Sequence, residues 1–111
     1  MTFMEIKTAK EKNTVVVSVK GKIDAVTAPE FEKAISNLIA QGENIFLLNL
    51  SGLEYISSAG LRSILAAAKQ LKPKGGNILF CGLKGPVKDV FRVSGFGTIF
   101  KIFETQEDAL K

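Results

Sequence analysis

Residues 45–61 read IFLLNLSGLEYISSAGL and hold the clearest structural pattern in the chain. Residues 45–48 form a short apolar run of the kind that predicts a central strand buried on both faces. We expect a loop over residues 51–56 and a helix that begins at Ser57 or Ser58. A buried strand that leads through a short loop into a helix is typical of α/β folds.

Four further segments have strand patterns, and helix patterns separate most of them. Residues 13–20 alternate valines with other side chains, which predicts a strand with one buried face. The other predicted strands are residues 3–8, 78–81 and 98–103, and the first two strands would form a hairpin around residues 11–13. The predicted order β-β-α-β-α-β-α-β-α gives an α/β fold, a mixed sheet of about five strands flanked by about four helices.

Capping residues and helical periodicity locate the helices. Thr27 and Glu30 predict a capping box at the start of the first helix, and Gly21 is expected to end the strand before it. A short third helix should stop at residues 95–97, and Thr105 should cap the last helix. The second helix has apolar residues at helical spacing, which predict an inward stripe of Leu61, Ile64, Leu65, Ala68 and Leu71.

The composition limits the chemistry of the chain. Its 111 residues are 46% hydrophobic, so we expect residues 1–111 to form one domain with its own core. Cys81 is the one cysteine and lies in an apolar strand pattern, which favours a buried, unreactive thiol. There is no histidine, which excludes a Ser-His-Asp site, and no cluster of Cys or His could hold zinc. Catalysis by carboxylates or lysine stays open, but we expect no enzyme, no metal site and no cofactor.

Charge and hydropathy indicate the cellular compartment of the protein and the kinds of partner that it could bind. No apolar run reaches the roughly 18 residues that cross a bilayer, and residues 1–7 lack the pattern of a signal peptide. We therefore expect a cytoplasmic protein without membrane insertion. The formal net charge is +4, but the lysines are spread along the chain and no recognition motif accompanies them, so we expect no direct binding to nucleic acid.

Ser57 and Ser58 lie where a buried strand leads into a helix, at the sheet edge where α/β proteins collect binding sites. A serine at this position can simply cap the helix with its hydroxyl. It can also be phosphorylated, which adds about −1.5 to −2 charges that the positive end of a helix dipole tolerates. The fold would then survive while the surface changes sign. Gly60 has no side chain, which would let a partner approach closely.

The segment of residues 50–61 resembles the signature of the STAS family, the sulphate transporter and anti-sigma factor antagonist domains. The family pattern is an aliphatic strand, a short loop and then Asp-Ser-(Ser/Thr/Ala)-Gly-Leu, which places the family's phosphorylated serine on Ser58. Residues 21–24 and 90–96 are similar to two weaker motifs of the family. This chain has Ser57 where the family often has Asp, which makes Ser57 the alternative phosphorylation site.

The resemblance implies a single STAS-like domain that acts as an anti-sigma factor antagonist. The unphosphorylated form would bind an anti-sigma factor that is also a serine kinase, and would thereby release a sigma factor. Phosphorylation of Ser58 would end the binding, and a metal-dependent serine phosphatase would restore it. ATP and metal ions would belong to those partners. The implied partner-binding residues are Asp24, Ser57, Ser58, Ala59, Gly60 and Leu61.

Several alternatives stay open beside this interpretation. Asp24 could contact a partner, or it could only cap the turn before the first helix. The same fold could serve as an accessory subunit of a membrane transporter or of a stress-signalling complex. An enzyme would need a nucleotide site, but residues 82–85 and 95–97 match neither a P-loop nor a Gly-x-Gly-x-x-Gly fingerprint.

Overall fold

The computed structural model describes residues 3–111 of the chain. The strands are β1 (Met4–Glu11), β2 (Thr14–Ile23), β3 (Ile45–Ile56), β4 (Asn77–Cys81) and β5 (Lys101–Phe103). The helices are α1 (Ala28–Ala40), α2 (Ser58–Leu71), α3 (Gly85–Ser94), α4 (Phe96–Ile99) and α5 (Gln106–Ala109), and a 3₁₀ turn, Lys72–Lys74, follows α2. In the described part of the chain, none of these helices is long and apolar enough to cross a membrane.

The strands form one mixed sheet in the order β1-β2-β3-β4-β5, which confirms the predicted architecture. β1 and β2 pair antiparallel, with Glu11 opposite Thr14 and with Lys12 at a φ of 58° in the turn between them. The predicted hairpin is therefore confirmed. The strands from β2 to β5 pair in parallel, because helices connect each of them to the next. Their carboxyl ends consequently lie at one edge of the sheet.

The two faces of the sheet are covered unequally. Helices α1, α2 and α3 pack on one face and enclose the main core, which includes Val17, Ile35, Phe46, Leu48, Ile64, Phe80 and Phe91. The opposite face has a smaller cluster, in which Val16, Leu47 and Cys81 pack against Ala109 of α5. Phe46 and Leu47 point to opposite faces and both are fully buried, so the prediction that β3 is covered on both faces is confirmed.

Strands β2 and β3 extend further than their sequence pattern predicts. β2 continues to Ile23 through Gly21, whose φ of 97° bends the strand without ending it. β3 includes residues 51–56, which the sequence predicts as a loop. The pairing of the two strands shifts between Ser18 and Lys20 and again after Gly21, and each shift adds an unpaired residue to β3. Such bulges make a strand difficult to predict from the sequence, because they interrupt its alternation of polar and apolar side chains.

The segment after α3 is also more irregular than predicted. A strand is expected over residues 98–103, but Phe96–Ile99 forms α4 and only Lys101–Phe103 forms β5. Gly95 has a left-handed φ of 80°, which ends α3 and starts a new turn. Thr98 closes that turn, since its N–H donates to the Gly95 carbonyl at 3.0 Å.

Helix α2 presents smaller side chains to the core than predicted. Ile64 is buried as expected, but Leu65 is 40% exposed. Ser63 and Ala67 are buried in its place, because α1 packs beside α2 and small side chains let the two helices approach. The Ser63 hydroxyl keeps a partner in this environment by donating to the Ala59 carbonyl at 3.1 Å.

Candidate partner-binding site at the start of helix α2

The carboxyl ends of β2 and β3 lie side by side, and each leads into a helix. Ile23 pairs with Ile56 at the end of the register, and the Ser57 N–H donates to the Ile23 carbonyl at 2.9 Å. These contacts fix the β2–α1 loop next to the start of α2. The structure therefore brings Asp24, at the start of that loop, to the same edge of the sheet as Ser58.

Ser57 is the N-cap of α2. Its backbone is extended, with φ −95° and ψ 174°, and its Oγ accepts a hydrogen bond from the Gly60 N–H at 3.3 Å. The Leu61 N–H donates to the Ser57 carbonyl at 3.0 Å, which is the first backbone bond of the helix. The hydroxyl of Ser57 is thus engaged within the chain in the way that capping serines usually are.

Ser58 is the first residue of α2, and its side chain is exposed to solvent, whereas Ser57 is half-buried. The start of a helix is positively polarised because its first N–H groups have no acceptors within the helix. A negative charge on Ser58 would therefore face water beside a favourable dipole end. The geometry separates the two serines, one as the cap and one as a free surface group.

Gly60 is buried, and the space beside its Cα belongs to the core. A β-carbon on Gly60 would lie 2.7 Å from Ile56 Cγ1 and 2.8 Å from Ile23 Cγ2. The missing side chain thus lets α2 start directly against the ends of β2 and β3. The space that a side chain of Gly60 would occupy faces the interior. Our interpretation that the absence of a side chain lets a partner approach closely is therefore wrong. Ala59 and Leu61 are half-buried and pack against the same core.

Asp24 organises the loop between β2 and α1. Its Oδ1 accepts hydrogen bonds from the N–H groups of Val26 and Thr27 at 2.9 and 3.1 Å. Thr27 Oγ1 accepts from the Asp24 N–H and donates to the Lys22 carbonyl, both at 2.9 Å. Asp24 therefore serves as a turn acid, and a partner contact for it stays a prediction. The capping box of Thr27 and Glu30 is wrong, because the Thr27 hydroxyl bonds back into the turn and makes no cap to α1.

Two exposed apolar side chains at this edge are not singled out by the sequence pattern. Val26 is 76% exposed in the loop that Asp24 holds, and Tyr55, near the end of β3, is 46% exposed. Glu54 is the extra residue at the second bulge of β3, and both Glu54 and its neighbour Tyr55 are exposed. Two exposed residues in a row interrupt the alternation of exposed and buried side chains that identifies a strand face in a sequence. For Val26, the one available signal is an aliphatic residue directly before Thr27, the residue that precedes α1.

An open cavity of about 510 Å³ lies between α1 and α2 beside this site. Its walls include Ala25, Pro29, Ala59, Arg62 and Ser63. Arg62 is exposed and follows Ser58 by four residues, so the two side chains share a face of α2. The site therefore combines an exposed hydroxyl, exposed apolar side chains and a nearby cation, a combination suited to contact with another protein.

The family model of the STAS domain matches residues 5–109. The chain belongs to the STAS domain family. A relative from Bordetella bronchiseptica, named anti-sigma factor antagonist BtrV, is 35% identical over 106 residues, which cover 96% of this chain and 91% of the relative. In this STAS chain, the residues that match the family signature build the start of α2, with Ser58 on the surface and Gly60 beneath it.

Solved structures share the fold of this STAS domain. An anti-sigma factor antagonist from Mycobacterium paratuberculosis has a TM-score of 0.87 at 29% identity, over 97% of this chain and 92% of that one. The Bacillus cell fate determinant SpoIIAA, solved in its phosphorylated form, has a TM-score of 0.74 at 23% identity, over 96% of both chains. The second likeness is one of fold alone.

Proposed function

We propose that this STAS domain is an anti-sigma factor antagonist whose binding surface is switched by phosphorylation of Ser58. The observation that carries the proposal is the exposed hydroxyl of Ser58 at the first position of α2, next to a serine whose own hydroxyl is used as the cap. Similar proteins named anti-sigma factor antagonists support the class of partner. The unphosphorylated form would bind the anti-sigma factor and so free a sigma factor.

Phosphorylation would change the charge of the surface and leave the core in place. A phosphoserine carries about −1.5 to −2 charges at neutral pH. At Ser58 these charges would face solvent, the positive end of α2 and the exposed Arg62. A partner packed over Val26 and Tyr55 would have to remove water from the phosphate, which is unfavourable unless it supplies compensating cations. SpoIIAA supports this step, since its fold was solved with a phosphate attached.

The partners would catalyse both the addition and the removal of the phosphate. The anti-sigma factor, acting as a serine kinase with ATP and a metal ion, would add the phosphate, and a metal-dependent serine phosphatase would remove it. This domain would supply the accepting hydroxyl of Ser58 and no catalytic group. The exchange would take place in the cytoplasm, where ATP is available to the kinase.

The test measures phosphate incorporation and complex formation with an anti-sigma factor serine kinase. Ser58→Ala should bind but take up no phosphate, and Ser58→Asp should weaken binding by about tenfold or more, or about 1.4 kcal/mol. Asn37→Asp adds one negative charge at an exposed position of α1 and should bind like the wild type. All three variants should melt close to the wild-type temperature.

Three outcomes would contradict the switch as proposed. Phosphate that is still incorporated into Ser58→Ala would exclude Ser58 as the acceptor, and a loss seen only in Ser57→Ala would move the site to Ser57. An affinity unchanged by Ser58→Asp would refute the argument from charge, even if Ser58 is the residue modified.

A further inference from the structure

A second exposed surface lies at the same carboxyl edge of the sheet, beyond β4 and β5. It is a groove of about 300 Å³ between α3, α4 and β5, which we name the α3–β5 groove. Its walls include Leu83, Lys88, Phe91, Arg92, Ile102 and Glu104. None of these residues belongs to the Ser58 site, so the groove needs an explanation of its own.

The groove has an apolar, rigid floor. Phe91 is 1% exposed, and its ring packs edge-on against Phe80 and Phe96, with 5.2 Å between ring centroids in both pairs. Ile102 is 37% exposed. A preformed groove with a buried aromatic floor and an exposed aliphatic side chain in its wall is typical of a surface that another molecule covers.

The charge around the groove is positive. Among the residues that line it, Lys88 and Arg92 are basic and Glu104 is acidic, so the lining has a net charge of +1. Asp89 is held by Arg92 at 3.2 Å. No carboxylate within residues 3–111 forms an ion pair with Lys88, which lies exposed at the wall of the groove. An acidic ligand would complement this charge.

The strand beside the groove can also offer backbone hydrogen bonds. β5 is the terminal strand of the sheet, and in the part of the chain that the structure describes no strand pairs with its outer edge. Free N–H and C=O groups of an edge strand can pair with an extended peptide, whose alternate side chains then reach neighbouring pockets.

We infer that the α3–β5 groove binds an extended, acidic segment of a partner protein, which inserts an apolar side chain against Phe91 and Ile102. The concave shape fits a peptide side chain better than the plane of a membrane. A second copy of this chain is disfavoured by the formal charge of +4 that both copies would carry. The inference is independent of whether Ser58 is phosphorylated.

The test is a selection of displayed random peptides that are long enough to pair along β5 as an added strand. Peptides would be selected on the full chain alone and then measured against the variant Lys88→Glu with Ile102→Ser. The matched control is Lys69→Glu with Leu65→Ser, which reverses one charge and removes one aliphatic side chain at exposed positions of α2. The melting temperatures of both variants would show that they fold.

We expect the selected peptides to hold more Asp and Glu than Lys and Arg, together with an aliphatic or aromatic residue. Their affinity should fall by about tenfold or more in the groove variant and stay unchanged in the control. Bound peptide should shift the amide NMR signals of Gly97 and Ile102 and leave that of Ser58 in place.

Several results would overturn the inference. Peptides without an acidic excess, peptides that bind the groove variant as well as the wild type, or amide shifts confined to the Ser58 site would each do so. So would dimerisation of the wild type that the groove variant loses. Binding to vesicles of phosphatidylcholine and phosphatidylserine that depends on Lys88 and Ile102, with no peptide selected, would assign the groove to a lipid surface instead.

Discussion

At the level of single residues, Gly60 shows how tightly the start of α2 packs. An added β-carbon would overlap Ile23 and Ile56, which are themselves buried at the ends of β2 and β3. We predict that Gly60→Ala destabilises the chain by about 1–3 kcal/mol, because both neighbours would have to move. Chemical denaturation followed by circular dichroism would measure this.

Gly97 offers a matched control for that substitution. It also lies in a helix, but a β-carbon there would meet only Ile102 Cδ1, at an ordinary contact distance of 3.9 Å. Gly97→Ala should therefore be neutral or slightly stabilising, since alanine restricts the unfolded chain. An equal loss of stability in both variants would show that crowding is not the reason for Gly60.

Cys81 provides a prediction about pH. Burial raises the pKa of the Cys81 thiol above its usual value, so the folded chain holds this proton at a pH where the unfolded chain has lost it. The folded state then binds more protons, and the free energy of unfolding should fall as the pH rises above about 8.5. The predicted burial of Cys81 is confirmed, because the residue is 1% exposed.

Urea denaturation between about pH 7 and 10 would test this, with Cys81→Ala as the reference. The two proteins are otherwise identical, so the difference between the two curves isolates the thiol. Wild type should lose stability faster than Cys81→Ala through the alkaline part of the range. Parallel curves would mean that Cys81 titrates in the folded chain as it does in the unfolded one.

At the scale of the element, helix α2 depends on Ser57 for its cap. Removing the hydroxyl leaves the Gly60 N–H without that acceptor, so Ser57→Ala should cost about 1 kcal/mol of stability. Ser58→Ala should cost close to nothing, because the Ser58 side chain is exposed. The difference in unfolding midpoint between the two variants measures the cap directly. Equal midpoints would indicate that the two hydroxyls share the role.

Strand β3 is the element that positions the Ser58 site at the edge of the sheet. Its two bulges carry it alongside β2 as far as Ile56, so that Ser57 can bond to Ile23 and α2 can begin at the sheet edge. The first bulge turns Leu53 towards the main core, and the second returns Ile56 to the face that Phe46 and Leu48 share. The point at which β3 ends and α2 begins is therefore a consequence of strand pairing.

At the scale of the whole molecule, a polar chain of contacts fastens α5 to the sheet. Asn49 Nδ2 donates to Gln106 Oε1 at 2.8 Å, and Gln106 Nε2 donates to Glu11 Oε2 at 3.0 Å. Gln106 thus joins the C-terminal helix to β3 and to the β1–β2 hairpin. This contact holds α5 over the smaller cluster on the back of the sheet.

We predict that Gln106→Ala costs about 1 kcal/mol and speeds amide hydrogen exchange in α5 and β5. Gln70→Ala is the control, because Gln70 Nε2 also donates to a side chain, Ser36 Oγ at 3.0 Å, but in an exposed pair between α1 and α2. Its effect should be smaller and should leave exchange in α5 unchanged. Faster exchange throughout the chain in Gln106→Ala would indicate a global effect, against the local role described here.

The sequence alone was sufficient for the elements whose signals are local. The run at residues 45–48 marked the buried central strand, and the turn at residues 11–13 marked the hairpin, because a continuous apolar segment and a short polar turn need no knowledge of distant residues. The serine pair also marked the start of α2 to within one residue. The family signature overlaps that same local segment, which is why the fold could be recognised.

Tertiary structure alone decided the features that arise from contacts between distant segments. Which of Ser57 and Ser58 caps α2 depends on how β3 leaves the sheet, and the role of Gly60 depends on Ile23, far away in the sequence. The Thr27 hydroxyl turned back to Lys22 because the Asp24 loop folds over it. The groove beside β5 exists only once α3 and α4 pack together. Local patterns record propensity and burial, whereas the direction of a side chain follows from pairing and packing that are fixed only when the whole chain has folded.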